Sequence, residues 1–129
     1  MKKIFLACVF CLGAGFLAGC PPIEEAAYQT VVAANAFVKS MRAQHPECAS
    51  PVQSIEVCEY LSRAASAKDT LIDAVEVYCA GPAFNGGGKC DAPQKGTPGA
   101  VQLSQKLQEA ISSYERAETD LKGIVARKN

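Results

Sequence analysis

Three stretches of the chain repeat apolar residues at alternating spacings of three and four, which is the period of a helix face and excludes a strand. The first runs from Glu24 to Gln44, with Ala27, Val31, Ala34, Val38 and Met41 in line and Phe37 widening the stripe. The second aligns Val57, Leu61, Ala64, Ala67, Leu71, Val75 and Tyr78, with Tyr60, Ile72 and Ala74 beside them. The third is unbroken from Ala100 through Leu103, Leu107, Ala110, Tyr114, Ala117 and Leu121 to Ile124, flanked by Ile111 and Val125. Each stripe predicts an amphipathic helix that must cover its apolar face. The third is regular enough for a coiled-coil partner. Packing of the three helices on one another covers all three stripes at once, so the expected fold is all-α, a small antiparallel three-helix bundle.

The ends of these stretches carry their own signals. Glu24 and Glu25 suit the positive start of the first helix dipole, Lys39 and Arg42 suit its end, and His45-Pro46 stops it. Ser50-Pro51-Val52-Gln53 reads as a restart, with Ser50 as N-cap, Pro51 at the first helical position and Gln53 closing a capping box. Gly81-Pro82 ends the second run, and Thr97-Pro98 opens the third as Ser50-Pro51 opens the second. Arg127 and Lys128 favour the final turn. Lys68 falls near the second stripe, where its stem is expected along the apolar edge and its amine in water. Between Gly81 and Gly96, five glycines and two prolines with no period predict a loop.

The first twenty residues follow a different pattern. Lys2 and Lys3 precede an apolar run from Ile4 to Phe16, and Leu17-Ala18-Gly19-Cys20 places small residues just before a cysteine. Glycines 13, 15 and 19 interrupt a stretch that is already short of the roughly 20 apolar residues of a membrane span. The tetrapeptide resembles the lipobox of bacterial lipoprotein precursors. That resemblance implies a cleaved signal peptide over residues 1–19, a diacylglyceryl group on the sulfur of Cys20, further acylation of the new amino terminus, and a lipidated tether over 20–23. Two or more acyl chains hold a protein firmly on a bilayer. A helical periplasmic domain would then occupy 24–129. In bacteria where aspartate after the lipidated cysteine marks inner-membrane retention, Pro21 implies sorting to the outer membrane.

Charge narrows the partners. The full chain has 13 basic and 13 acidic side chains. Loss of Lys2 and Lys3 with the leader leaves a net charge of about −2. This mild, mixed balance gives no basic stripe for nucleic acid and no polybasic patch for anionic lipid. The chain has no tryptophan and much alanine, which favours closely spaced helices over bulky packing.

Four cysteines follow the anchor: Cys48, Cys58, Cys79 and Cys90. In an oxidising envelope an even number reads as two disulfides with three possible pairings. On one helix Cys58 and Cys79 would lie about 31 Å apart, far beyond the roughly 7 Å that bonded α-carbons tolerate. Joining Cys48 to Cys79 and Cys58 to Cys90 would drag both loops along most of that same helix. Cys48 with Cys58 and Cys79 with Cys90 remain, each stapling a loop.

Catalytic and metal readings find little support. Zinc cysteines come in pairs about two to four residues apart, which these do not, and a thiol oxidoreductase would show Cys-x-x-Cys at a helix start. Gly86-Gly87-Gly88-Lys89 lacks a glycine at Ala83, a hydroxyl at Cys90 and a preceding strand, so it is no phosphate loop. His45 is the only histidine, and beside Pro46 it reads as a solvated helix terminator. Asp69 and Asp73 share a helix face, as carboxylates on solvated faces do, with no facing pair across a cleft. No catalytic residue, metal or cofactor is expected.

The expectation is a non-enzymatic envelope protein that binds another protein as an accessory subunit, inhibitor or adaptor. A lipoprotein of a phage or conjugative element that blocks entry of a second element is the alternative, and a small envelope hydrolase ranks below both. Antiparallel helices put the lipid anchor and the Gly81 to Gly96 loop at one end, with Phe84 near the headgroups. His45, the Cys48–Cys58 staple and the carboxyl terminus gather at the other, where the partner contact is expected near Glu47 and Glu56.

Overall fold

The computed structural model describes residues 22–50, 55–80 and 90–128. Among them are three helices, α1 (Ile23–Gln44), α2 (Glu56–Tyr78) and α3 (Pro98–Lys128), with a 3₁₀ turn over Pro46–Ala49 and no strand.

Helix α1 starts directly on Pro22, whose carbonyl accepts from the N–H groups of Glu25 at 3.0 Å and Ala26 at 3.1 Å. Pro22 offers no side-chain cap, but Glu24 and Glu25 in the first turn answer the dipole. At the other end the His45 N–H still reaches the Met41 carbonyl at 3.0 Å. Pro46 has no N–H to continue the ladder and disfavours a helical residue before it, so His45 leaves the helix at φ −126° and ψ 64°.

Helix α2 begins later than the Ser50-Pro51 signal predicts. Ser50 closes the 3₁₀ turn through its N–H to the Glu47 carbonyl, with an extended backbone at φ −88° and ψ 126°. The helix starts at Glu56, and extended Ile55 provides the first carbonyl without a side-chain cap. The Cys48–Cys58 bond gives a physical reason. It brings the two α-carbons to 5.0 Å, whereas a helix already running from Pro51 would carry Cys58 about 10 Å along its axis. Starting at Glu56 keeps Cys58 in the first turn. Pro51 and Gln53 of the expected capping box lie outside the described residues.

Helix α3 starts as its sequence reads. Gln94 to Thr97 form a turn in which Gly96 takes φ 85°, a conformation that glycine adopts without steric cost. The Thr97 hydroxyl donates to the Gln94 carbonyl at 2.9 Å and accepts from the Ala100 N–H at 3.2 Å, satisfying one orphan donor of the first helical turn.

The three stripes meet in two core clusters. One joins Ala27, Val31 and Ala34 of α1, Leu71, Val75, Tyr78 and Cys79 of α2, and Leu107, Ala110 and Tyr114 of α3. The other joins Val38 and Met41, then Val57, Leu61, Ala64 and Ala65, with Leu121 and Ile124. Between them the partly covered Ala67 and Ala117 form a narrow waist. Alanine at so many core positions lets the helices approach closely, and the long leucines fill what remains. The packing is uneven. Helix α2 has its largest interface with α3 and a smaller one with α1, while α1 and α3 touch least. Helix α2 is therefore the spine, and the seam between α1 and α3 is the loosest. One clasp crosses that seam, where the Lys122 amine sits 5.2 Å from the centre of the Phe37 ring and pairs with Glu118. Such an exposed cation over a ring contributes about 0.5–1 kcal/mol.

Candidate functional site

Chemistry-bearing residues gather at the two ends of the helices and at the waist. At the end where α1 stops, the 3₁₀ turn carries Glu47 and Cys48 back toward α2, and Cys48 bonds to Cys58. His45 is not merely a solvated terminator. Its Nδ1 lies 2.9 Å from Glu47 Oε1, and its side chain is mostly covered. The hydrogen bond to His45 holds the Glu47 carboxyl below its usual range, and a backbone hydrogen bond and the nearby Lys128 charge act in the same direction. Glu56 is exposed at the first turn of α2. The tip thus presents two carboxylates on a backbone fixed by a covalent bond.

At the opposite end Cys79 follows the last turn of α2 and bonds to Cys90, with α-carbons 4.4 Å apart. The Asp91 N–H donates to the Cys79 carbonyl at 3.1 Å, so a covalent and a hydrogen bond tie the same two strands of chain. Cys79 is buried in the first core cluster, and Cys90 packs against it. Ala80 then turns into the left-handed region at φ 56°, which a side chain resists. Beside this staple Tyr78 is buried, and burial raises its hydroxyl pKa, with the Glu24 charge adding to the shift and a bond to Ser104 opposing it. Pro22, Ile23, Pro93 and Val101 border a shallow depression of about 400 Å³ next to it. Further along, a groove of about 500 Å³ runs between α2 and α3, lined by Ala74, Val77 and Leu103 together with Asp73, Lys106 and Glu109.

The waist holds two groups that stripe reading does not reveal. Tyr114 is 1% exposed, and its hydroxyl is the one buried side-chain polar atom among the described residues without a hydrogen-bond partner. Burial pushes that hydroxyl far above the ordinary tyrosine range, and Glu118 pushes it further through its charge and as a nearby acceptor that falls short of a well-aligned hydrogen bond. Lys68 keeps only 15% of its side chain exposed, more covered than an edge lysine needs to be, with its amine 3.0 Å from Asp69. Asp69 is thereby a lysine partner and Asp73 a groove-lining residue, both on the exposed side of α2. Spacing places Tyr114 in the core, but no local signal says whether a partner stands opposite its hydroxyl.

Among the described residues no cluster of three or more His, Cys, Asp or Glu side chains is placed to hold a metal ion. No described helix is long and apolar enough to cross a membrane. Cys20, its leader, Phe84 and Gly86-Gly87-Gly88-Lys89 lie outside the described residues. The fold and these sites define an all-helical bundle closed by two disulfides. No protein-family model matches the chain, and neither a curated protein nor a solved structure matches it.

Proposed function

We propose that the chain is a bacterial envelope lipoprotein, held on the membrane by acylated Cys20, whose antiparallel three-helix bundle binds another protein on the periplasmic side and performs no catalysis itself. The antiparallel order is supported by the core, where the beginning of α1 packs with the end of α2 and the first half of α3, and the end of α1 with the beginning of α2 and the end of α3. The observation that carries the compartment is the pair of bonded cysteines, because disulfides persist in oxidising spaces and are rare in the cytosol. Together with the Leu17-Ala18-Gly19-Cys20 leader it favours the outside of the inner membrane, and Pro21 favours the outer membrane.

The partner contact is assigned to the stapled tip. A disulfide there lowers the ordering cost of binding, and Glu47 and Glu56 give it an acidic face for a basic patch on the partner. Replacing Cys20 by serine should abolish lipid labelling and release the chain from membranes. A variant that still pellets with membranes at high salt would sink the anchoring. Charge reversal of Glu47 and Glu56 to lysine should weaken capture of the partner recovered from detergent-solubilised membranes while the thermal melt stays near wild type. Unchanged capture by that variant, with loss on deleting residues 84–88, would move the contact to the other end.

A further inference from the structure

The exposed large apolar side chains are distributed unevenly. Tyr28, Val32, Val77 and Val101 are each half or more exposed, and all four belong to the half of the bundle built on the first core cluster. Among the described residues the other half has none. Singly exposed valines are ordinary on a soluble surface. Confinement of all of them to one half is a different observation, and they do not form one groove. Val77 lines the furrow between α2 and α3, whereas Val101 borders the depression beside Pro22 on the side of α1. Val77 and Val101 thus border two different grooves of α3, and with Tyr28 on α1, and Val32 one turn beyond it, they form a collar of apolar side chains on this half.

The chain itself says what meets that collar. Helix α1 starts on Pro22 at this end, and Cys20 is only three residues before Ile23, a reach of at most about 11 Å even when fully extended. We propose that the collar rests in the headgroup layer of the membrane that carries the lipid on Cys20, so that the domain docks end-on instead of swinging free on its tether. This rests on the proposed lipidation of Cys20. The charges nearby identify the lipid class. In the two depressions that Val101 and Val77 border, Glu24, Asp73 and Glu109 outnumber Lys95 and Lys106, which opposes an anionic surface and suits zwitterionic headgroups. Tyr28 at this depth matches the interfacial preference of amphipathic rings. End-on docking also points the stapled tip away from the bilayer.

The absence of tryptophan from the chain makes the contact directly readable. Single tryptophans are placed at collar positions by Val77→Trp and Val101→Trp, and at exposed positions of the other half by Ala43→Trp and Ser62→Trp. The lipid-bearing chain is purified from membranes and reconstituted in phosphatidylcholine vesicles brominated on the upper acyl carbons. Fluorescence at 77 and 101 should be quenched several-fold more strongly than at 43 and 62. Equal quenching at all four positions, or stronger quenching at 43 and 62, would overturn the docking.

The mass of the N-terminal peptide from the same preparation reads lipidation separately. If it lacks a diacylglyceryl group, the anchoring reading fails by itself, and the collar is then tested on residues 20–129 coupled through the Cys20 thiol to a single-chain lipid. One chain binds only marginally, so Val77→Asp with Val101→Asp should weaken partition into phosphatidylcholine vesicles several-fold. Unchanged partition would refute the collar contact irrespective of how the natural chain is anchored.

Discussion

Where α1 stops, Cys48 and Cys58 join a 3₁₀ turn to the first turn of α2, and both remain partly exposed. Where α2 stops, Cys79 is 4% exposed and stands in a core cluster beside Tyr78 and Val75. The loops closed are nearly equal, with sequence separations of 10 and 11. If disulfides acted only by restricting the unfolded chain, the two would contribute nearly equally. The structure separates them, because Cys79 is a buried member of a core cluster while Cys48 only packs, partly covered, against the edge of the other. The same asymmetry extends to the surface, polar at the stapled tip and studded with exposed apolar side chains at the tether end.

The comparison breaks first on the cysteines. Exchanging Cys79 and Cys90 together for serine should lower unfolding stability by about 3–5 kcal/mol, since it removes the cross-link and places a hydroxyl in the core. The same exchange at Cys48 and Cys58 should cost about 2–3 kcal/mol. Urea midpoints of the two double variants decide the matter, and equal losses would reduce both bonds to chain restriction.

Tyr114→Phe sharpens the picture of the first cluster. Removing a buried hydroxyl that makes no well-aligned hydrogen bond should raise stability by up to about 1 kcal/mol, and a loss would show that the hydroxyl is bonded to Glu118. The pH dependence carries a defined sign. The folded chain holds the Tyr114 proton more tightly than the unfolded chain does. The stabilisation is therefore complete below the unfolded pKa of about 10 and is lost as pH rises above it, by up to about 1.4 kcal/mol per pH unit. Tyr78 shifts in the same direction and contributes to the loss. Chemical unfolding at pH 8, 10 and 11 should show a shallower alkaline decline in Tyr114→Phe than in wild type. Parallel declines would mean that other groups set the alkaline limit.

The smallest effect is at Ala80, held at φ 56° next to the buried staple. Ala80→Gly should gain about 0.5–1 kcal/mol by removing the clash of the β-carbon with the backbone, less the added freedom of the unfolded chain. A loss in the thermal melt would show that the side chain contributes packing that outweighs its strain.

The helices themselves are legible in the sequence because a stripe of period 3.6 sustained over three or more turns arises from little besides a helix face. Thr97 is legible as a cap for a local reason, since its hydroxyl satisfies donors only three residues away. Ser50-Pro51 carries the same local signature, yet α2 starts at Glu56 after an extended Ile55. There a covalent bond between Cys48 and Cys58 competes with the capping signal, and local pattern cannot weigh the two. Ala65, outside the stripe, is buried beside Ala64, while Ala67 within it is only partly covered, because contacts from the neighbouring helices decide how wide the buried face is at each turn. The two bonded pairs follow from the length of α2 alone, since a rigid rod forbids the long pairing. The orphan hydroxyl of Tyr114, the covered stem of Lys68 and the His45–Glu47 contact are not legible, because each depends on what other side chains or the local turn place opposite it.

The double tie at Cys79, Cys90 and Asp91 has a consequence for how this protein can change over generations. The residues flanking positions 81–89 are held together by bonds made directly between Cys79, Cys90 and Asp91. A closed loop grows at a cost of only about 0.6 kcal/mol for each doubling of its length. A change in the number of residues between Cys79 and Cys90 leaves that junction closed, while α2, packed against both of its neighbours, has little such freedom. Selection can thus alter the length of this connection without opening the end of α2.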